Sequence, residues 1–229
     1  MLELITGCLF GGLLGIRHAL EPDHIAAVST LLTVERSPRK VAALGAWWGL
    51  GHSLALLGLG GSLAVLERQL SERWATGLEL AVSVLLLVLG WRALHYALWQ
   101  PKTGPVRLHS HGDTLHHHCG PAAHLHVGRW TMAQRPLLIG TVHGLAGSGS
   151  LTALALANMP SVAMRLWYIA LFGLGSLLGM AALSGIAGWP LKRLGRHPLA
   201  QRAMSVAVGA ISIGYSIYLG RPLVLQLLG

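Results

Sequence analysis

Charge is scarce in this chain: 11% of its 229 residues are Asp, Glu, Lys or Arg, against about 25% in soluble domains. That deficit excludes an ordinary water-facing surface and points to a membrane protein. Acidic residues are the rarer sign, 8 against 17 basic ones, leaving a net charge of +9. A basic balance suits nucleic acid in a soluble protein, but here Lys and Arg sit in short connectors between apolar runs. They read as topology signals, and no nucleic-acid partner is expected. Cysteine is nearly absent: Cys8 lies in an apolar run and Cys119 in a polar loop, which makes no disulfide framework. The N-terminus lacks the positive region of a cleavable signal peptide, so the first apolar segment is expected to persist. No His-Glu-x-x-His pair occurs, which argues against a membrane metalloprotease or hydrolase. Nor is there a nucleotide-binding motif, so coupling to ATP would need another subunit.

What the chain has instead is apolar sequence: 53% hydrophobic residues, a mean hydropathy of +0.57 and 30 glycines. Glycine lets membrane helices approach closely. Six runs are long enough to span at about 20 residues each: Leu4–Val34, Val41–Leu66, Trp74–Trp99, Pro136–Ala157, Val162–Trp189 and Ala200–Leu219. The first is too long for one straight span and contains Pro22, which breaks a helix. It reads as one broken helix, with a pair of re-entrant segments as the alternative. Basic residues crowd the odd connectors (Arg36, Arg39, Lys40; Lys102, Arg107, Arg129, Arg135; Lys192, Arg193, Arg196, Arg202), eleven against four on the other side. The odd connectors are then cytoplasmic and both termini outside.

The chain also repeats itself. Gly15-Ile16-Arg17-His18 precedes Gly49-Leu50-Gly51-His52 much as Gly140-Thr141-Val142-His143 precedes Gly173-Leu174-Gly175-Ser176. The predicted fold is an all-α polytopic membrane protein of about six helices in two inverted three-helix repeats, residues 1–100 and 136–229. Residues 101–135 form a connecting loop. Inverted repeats that meet at a broken helix near the midplane are a transporter signature.

Within the first run stands Arg17-His18-Ala19-Leu20-Glu21-Pro22-Asp23-His24, flanked by Leu2–Ile16 with one charge, Glu3, and Ile25–Val34 with none. A charge at mid-bilayer costs roughly 2.5–3.5 kcal/mol on insertion scales, so such groups usually carry function. Two imidazoles and two carboxylates are the ingredients of a divalent-metal site. On an ideal helix Glu21 and His24 fall about 60° and 120° to one side of His18, and Asp23 about 140° to the other. Bringing Asp23 into the site needs the break at Pro22. The bland reading is a wetted polar helix end, but two acids and two histidines exceed what a cap requires. His52 and His143 are the other candidate ligands. Ser148 aligns with Asp23 and reads equally as a ligand or a packing hydroxyl. Glu79 and Arg92 read as snorkelling side chains.

The pattern His18-x4-Asp23-His24 resembles the signature of the nickel/cobalt transporter family, NiCoT, within the wider NicO group. Gly51-His52-Ser53 matches a second motif of that family. The later Asp-Thr motif is missing, with only the framework Leu171-Phe172-Gly173-Leu174-Gly175-Ser176 retained. Together with six spans and His143-Gly144-Leu145-Ala146-Gly147-Ser148-Gly149, this makes the chain similar to the urease-accessory (UreH-type) branch. The resemblance implies transport of Ni²⁺ or Co²⁺ as substrate, with no cofactor and no enzyme activity, across a bacterial or archaeal cytoplasmic membrane. It also implies that His18, Asp23 and His24 are essential.

The loop adds His109, His111, His116, His117, His118, His124 and His126, with Asp113 and Cys119. Short His-rich tracts bind metals. This one is expected to be cytoplasmic and irregular, concentrating ions or passing them to a nickel chaperone or to urease or hydrogenase maturation proteins. Two functions follow from different classes: a secondary transporter, or a membrane-bound accessory or sensor that captures nickel without moving it. Import or efflux is left open.

Overall fold

The computed structural model describes residues 2–32, 38–99, 108–111, 114–117, 125–127, 130–132, 134–194 and 198–228. Their order is α1 (Leu2–His18), α2 (Pro22–Leu32), α3 (Pro38–Ala55), a π-helical segment (Leu56–Gly60), α4 (Gly61–Val65), α5 (Glu72–Trp99), four short strands, α6 (Gln134–Asn158), α7 (Val162–Leu194) and α8 (Pro198–Leu228). The strands β1 (Leu108–His111), β2 (Thr114–His117), β3 (Leu125–Val127) and β4 (Trp130–Met132) pair as two antiparallel ladders within the loop expected to be irregular. The apolar part of the chain is entirely helical among the described residues.

Among the described residues, five helical stretches are long and apolar enough to cross a membrane: Arg39–Val65, Glu72–Trp99, Gln134–Asn158, Val162–Gly188 and Leu199–Leu228. The remaining apolar run is split where its sequence predicts. Helix α1 ends at His18, Leu20 and Glu21 bond back to the carbonyls of Arg17 and His18, and α2 restarts at Pro22. Proline suits a first helical position because its missing N–H has no helical partner there, and Asp23 in the next position complements the positive end of the helix dipole. Outward faces are apolar, and Trp74 and Trp99, 71% and 76% exposed, mark the two ends of α5 as an aromatic belt does.

Packing between the halves is reciprocal. A Cβ added at Gly15 of α1 would collide with the Phe172 carbonyl of α7, and one at Gly140 of α6 would collide with the Trp48 carbonyl of α3. Likewise Gly51 of α3 abuts Leu137 of α6, while Gly175 of α7 abuts Gly12 of α1. Each pair becomes the other when the halves are exchanged. In the remaining pair, α5 and α8, the Ser83 hydroxyl donates to the Ser216 carbonyl at 2.8 Å and the Ser216 hydroxyl to the Ser83 carbonyl at 2.7 Å. The order of contacts also gives direction. Helix α1 runs parallel to α7 (Gly11 at Tyr168, Gly15 at Phe172, Ala19 at Gly179), and α3 runs antiparallel to α7 (Gly45 at Met180, Gly49 at Leu177, Ser53 at Gly173).

Where backbones are this close, a larger side chain has no room. Gly140→Leu is expected to cost at least about 2 kcal/mol through overpacking. Gly77→Leu, which faces open space, should change stability by less than about 0.5 kcal/mol. Thermal unfolding of the detergent-purified protein checks both, and equal melting temperatures for the two variants would contradict the close α3–α6 contact.

Candidate metal site

The break before Pro22 turns two short helices toward one point. His18 ends α1, His24 lies in the first turn of α2, His52 comes from α3 and His143 from α6. Ring centroids stand 4.6 Å apart for His18 and His24, 5.2 Å for His18 and His52, and 5.3 Å for His24 with either His52 or His143. All three partners of His18 are buried, at 1% exposure for His24, 0% for His52 and 3% for His143. His52 is 13 residues from each end of the stretch Arg39–Val65, so the cluster sits at mid-depth of that helix.

Hydrogen bonds decide which nitrogen each ring offers. His18 Nδ1 lies 3.0 Å from Glu21 Oε2, and His24 Nδ1 lies 3.1 Å from Asp23 Oδ1. His143 Nδ1 lies 3.1 Å from the Ile139 carbonyl. Carboxylate and carbonyl oxygens only accept, so each Nδ1 carries the proton and each Nε2 presents a lone pair. The Nε2 atoms of His18, His24 and His143, and both ring nitrogens of His52, are buried with no hydrogen-bond partner. Buried polar atoms are normally paired. Of these five nitrogens one on His52 carries its ring's proton, which leaves four lone pairs around one point, a candidate donor set for a cation.

The distances suit a first-row ion. One nitrogen from each of His18, His24 and His52 lies within 4.8 Å of the others, as do the ligand atoms of Glu21, Asp23 and His24. An ion at the centre of the histidine triangle would be at most about 2.8 Å from each nitrogen, and under ~1 Å of inward side-chain movement gives the ~2.0–2.1 Å of an imidazole–metal bond. Asp23 is partly buried and Glu21 half-exposed, so the carboxylates form the wetter side.

All six residues singled out in the helices, His18, Glu21, Asp23, His24, His52 and His143, are thus brought together. Ser148 fits the packing reading. Its hydroxyl donates to the Leu145 carbonyl at 2.6 Å within its own helix, the packing role. In the loop, the backbone register sets His109 opposite His116, Leu108 opposite His117, His111 opposite Thr114 and His126 opposite Thr131. His118, Cys119 and His124 lie outside the described residues. Two neighbours were missed by sequence reasoning. The Trp48 ring is 5.4 Å from His24 and 5.7 Å from His143, and the Phe172 ring is 5.2 Å from His18. The signal was present: each immediately precedes a Gly-Leu-Gly of the repeat.

A family model of high-affinity nickel-transport proteins, NicO, matches residues 8–228. The chain belongs to the NicO family. Among relatives, the urease accessory protein UreH of Bacillus sp. (strain TB-90) is 32% identical over 216 residues, 94% of this chain and 91% of that protein. The Arabidopsis thaliana chloroplast proteins FOR GROWTH AND FERTILITY 2 and 1 are 28% and 26% identical, over 81% and 80% of this chain. The chain spans about half their length, 48% and 50%. No solved structure matches. The NicO family expected from the His18–His24 and Gly51–Ser53 motifs is the family found, with a urease accessory protein among its relatives. Membership places this NicO chain with multi-pass membrane proteins of nickel transport and not with enzymes.

If the donor set is as described, removing a ligand and removing its orienting partner differ in size. His24→Ala should weaken Ni²⁺ binding at least about 100-fold, and Asp23→Asn by about 10–100-fold, the range for a partner that fixes a ligand's tautomer. Ser148→Ala should leave binding within about threefold. Calorimetric titration of the purified protein, read from its tightest phase, distinguishes the three, and an unchanged affinity in His24→Ala would remove this cluster as the site.

Proposed function

We propose that the chain is a secondary transporter carrying Ni²⁺, with Co²⁺ as the alternative cargo, across the cytoplasmic membrane. The observation that carries this reading is the set of orphaned imidazole nitrogens at mid-depth of a helical bundle. The Nε2 atoms of His18 and His24 with a nitrogen of His52 are the inner ligands, and His143 completes the set from the other half. Glu21 and Asp23 hold two of the rings, supply negative charge to offset the cation, and give the hydrated ion its first oxygen contacts.

Two inverted three-helix repeats provide the machinery, in this reading α1–α2 with α3–α4 and α5, and α6 with α7 and α8. The reciprocal glycine and serine contacts support it, as does direction. The antiparallel course of α3 relative to α1 supports a broken first run that crosses once, for six crossings in this reading. Rocking of one repeat against the other would expose a central site to each face in turn. The excess of basic residues on the odd connectors puts those connectors, and with them the His-rich loop, in the cytoplasm. There the loop histidines are suited to hold ions on the cytoplasmic side or pass them to a maturation partner.

A second reading is a membrane-bound accessory that captures nickel without moving it, prompted by the Bacillus relative's name as a urease accessory protein. Proteoliposomes separate the two, because ion flux supports transport and binding without flux supports the accessory role. In cells, Ni²⁺ accumulation compared between wild type and His24→Ala gives direction. Less metal in the variant indicates import, more indicates export, and no difference would sink the site.

Protons compete for the same lone pairs. Imidazole ligates when neutral, so Ni²⁺ binding and transport should weaken on acidification. A Ni²⁺ affinity unaffected by acidification across the whole range in which the protein stays folded would contradict histidine ligation.

A further inference from the structure

Two buried aromatic rings stand next to the imidazole cluster and offer no lone pair to a cation, though the Trp48 Nε1–H is itself buried without a partner. Trp48 is fully buried and Phe172 is 8% exposed. They occupy equivalent positions in the two halves: each precedes a Gly-Leu-Gly, and each offers its carbonyl to the glycine three residues before a site histidine, Gly140 before His143 and Gly15 before His18. An inversion of the halves puts equivalent residues at opposite depths. The contacts agree, since α3 residues 45, 49 and 53 face α7 residues 180, 177 and 173. Trp48 therefore lies about one turn below the level where the halves cross, and Phe172 about one turn above it. They are separated by about 9 Å along the axis, at about 1.5 Å per residue. The imidazoles lie between them.

Each ring belongs to a separate apolar cluster. Trp48 packs with Val41 and Ile139, toward the helix starts that follow the basic connectors. Phe172 shares a cluster with Leu56 of the π-helical segment that follows α3 and with Leu151 in the second half of α6. The two clusters flank the imidazoles along the bundle axis, with the carboxylates of Glu21 and Asp23 on a more exposed side, and an apolar constriction bars a hydrated ion by excluding its water.

We propose that Trp48 and Phe172 are the two gates of the pathway, each sealing the histidine site from one face of the membrane. Alternating access needs one gate per side, opened one at a time, and a pair of equivalent residues in inverted repeats supplies that arrangement. Because the rings close the path without ligating the ion, their removal changes access and leaves binding in place. This rests on the transport reading above, and the test separates the two.

The test uses full-length protein in liposomes loaded with a Ni²⁺-sensitive dye, with Ni²⁺ alone as the probe. Wild type should give flux that saturates with Ni²⁺ concentration. Trp48→Ala and Phe172→Ala should each bind Ni²⁺ within about threefold of wild type and still saturate, because one gate remains. The double variant should bind Ni²⁺ equally well but leak, with flux rising linearly through the range where wild type saturates and at least about tenfold above protein-free vesicles. Ring-retaining Trp48→Phe should behave as wild type. If the alanine variants do not purify as folded protein, Trp48→Leu with Phe172→Leu carries the same test with a smaller leak. A folded double variant that binds Ni²⁺ and still saturates overturns the gates and spares the transport reading. Loss of more than tenfold in binding in either single variant also overturns them, by making the ring part of the ion's shell. Absence of wild-type flux overturns the transport reading itself, and the gates with it.

Discussion

Removing a polar nitrogen from water without giving it a partner costs on the order of 1–3 kcal/mol, and the centre of this molecule holds five such atoms on His18, His24, His52 and His143. Three of the rings are held through their other nitrogen, and the Trp48 Nε1–H beside them is likewise buried without a partner. Glu21, Asp23 and the Ile139 carbonyl accept from three of the Nδ1–H groups, and this fixes both the tautomer and the ring orientation. The rest of the architecture can be read as what is needed to hold four imidazoles at one depth. One helix must break so that His18 and His24 converge from its two pieces. Three others must come within glycine distance so that His52 and His143 reach them.

That closeness explains the glycine content better than flexibility does. Gly15, Gly51, Gly140 and Gly175 each leave space for a neighbour's backbone, and the four contacts form two pairs that exchange when the halves are swapped. The site itself does not share this symmetry. His143 matches His18, but the residue matching Asp23 is Ser148, whose hydroxyl bonds within its own helix, and the residue matching His52 is Ser176, which donates to the Gly15 carbonyl at 3.2 Å. A symmetric scaffold thus carries a single, off-centre set of ligands.

The wet and dry sides of the cluster are also unequal. Glu21 is half-exposed while His52 is sealed, so the carboxylates face the approach and the imidazoles the interior. An ion moving from oxygen to nitrogen donors exchanges its water in steps. In the proposed pathway the Trp48 and Phe172 clusters lie on either side of the imidazoles.

Much of this was determined by the sequence alone. Low charge and long apolar runs specify a membrane protein, Pro22 specifies the break, and two motifs of imidazole and carboxylate identify the family, since each depends on residue type and short-range spacing. The six helical candidates His18, Glu21, Asp23, His24, His52 and His143 were legible for the same reason: polar groups stand out in an apolar background. Which nitrogen each ring offers, the helix-internal role of Ser148, the short ladders in the loop, and the places of Trp48 and Phe172 were decided by tertiary structure. In a membrane helix an aromatic residue is chemically ordinary, and only contacts between segments more than 100 residues apart in sequence, such as Ser53 to Gly173 at 2.6 Å, set what it faces. Periodicity along one helix carries no record of that distance.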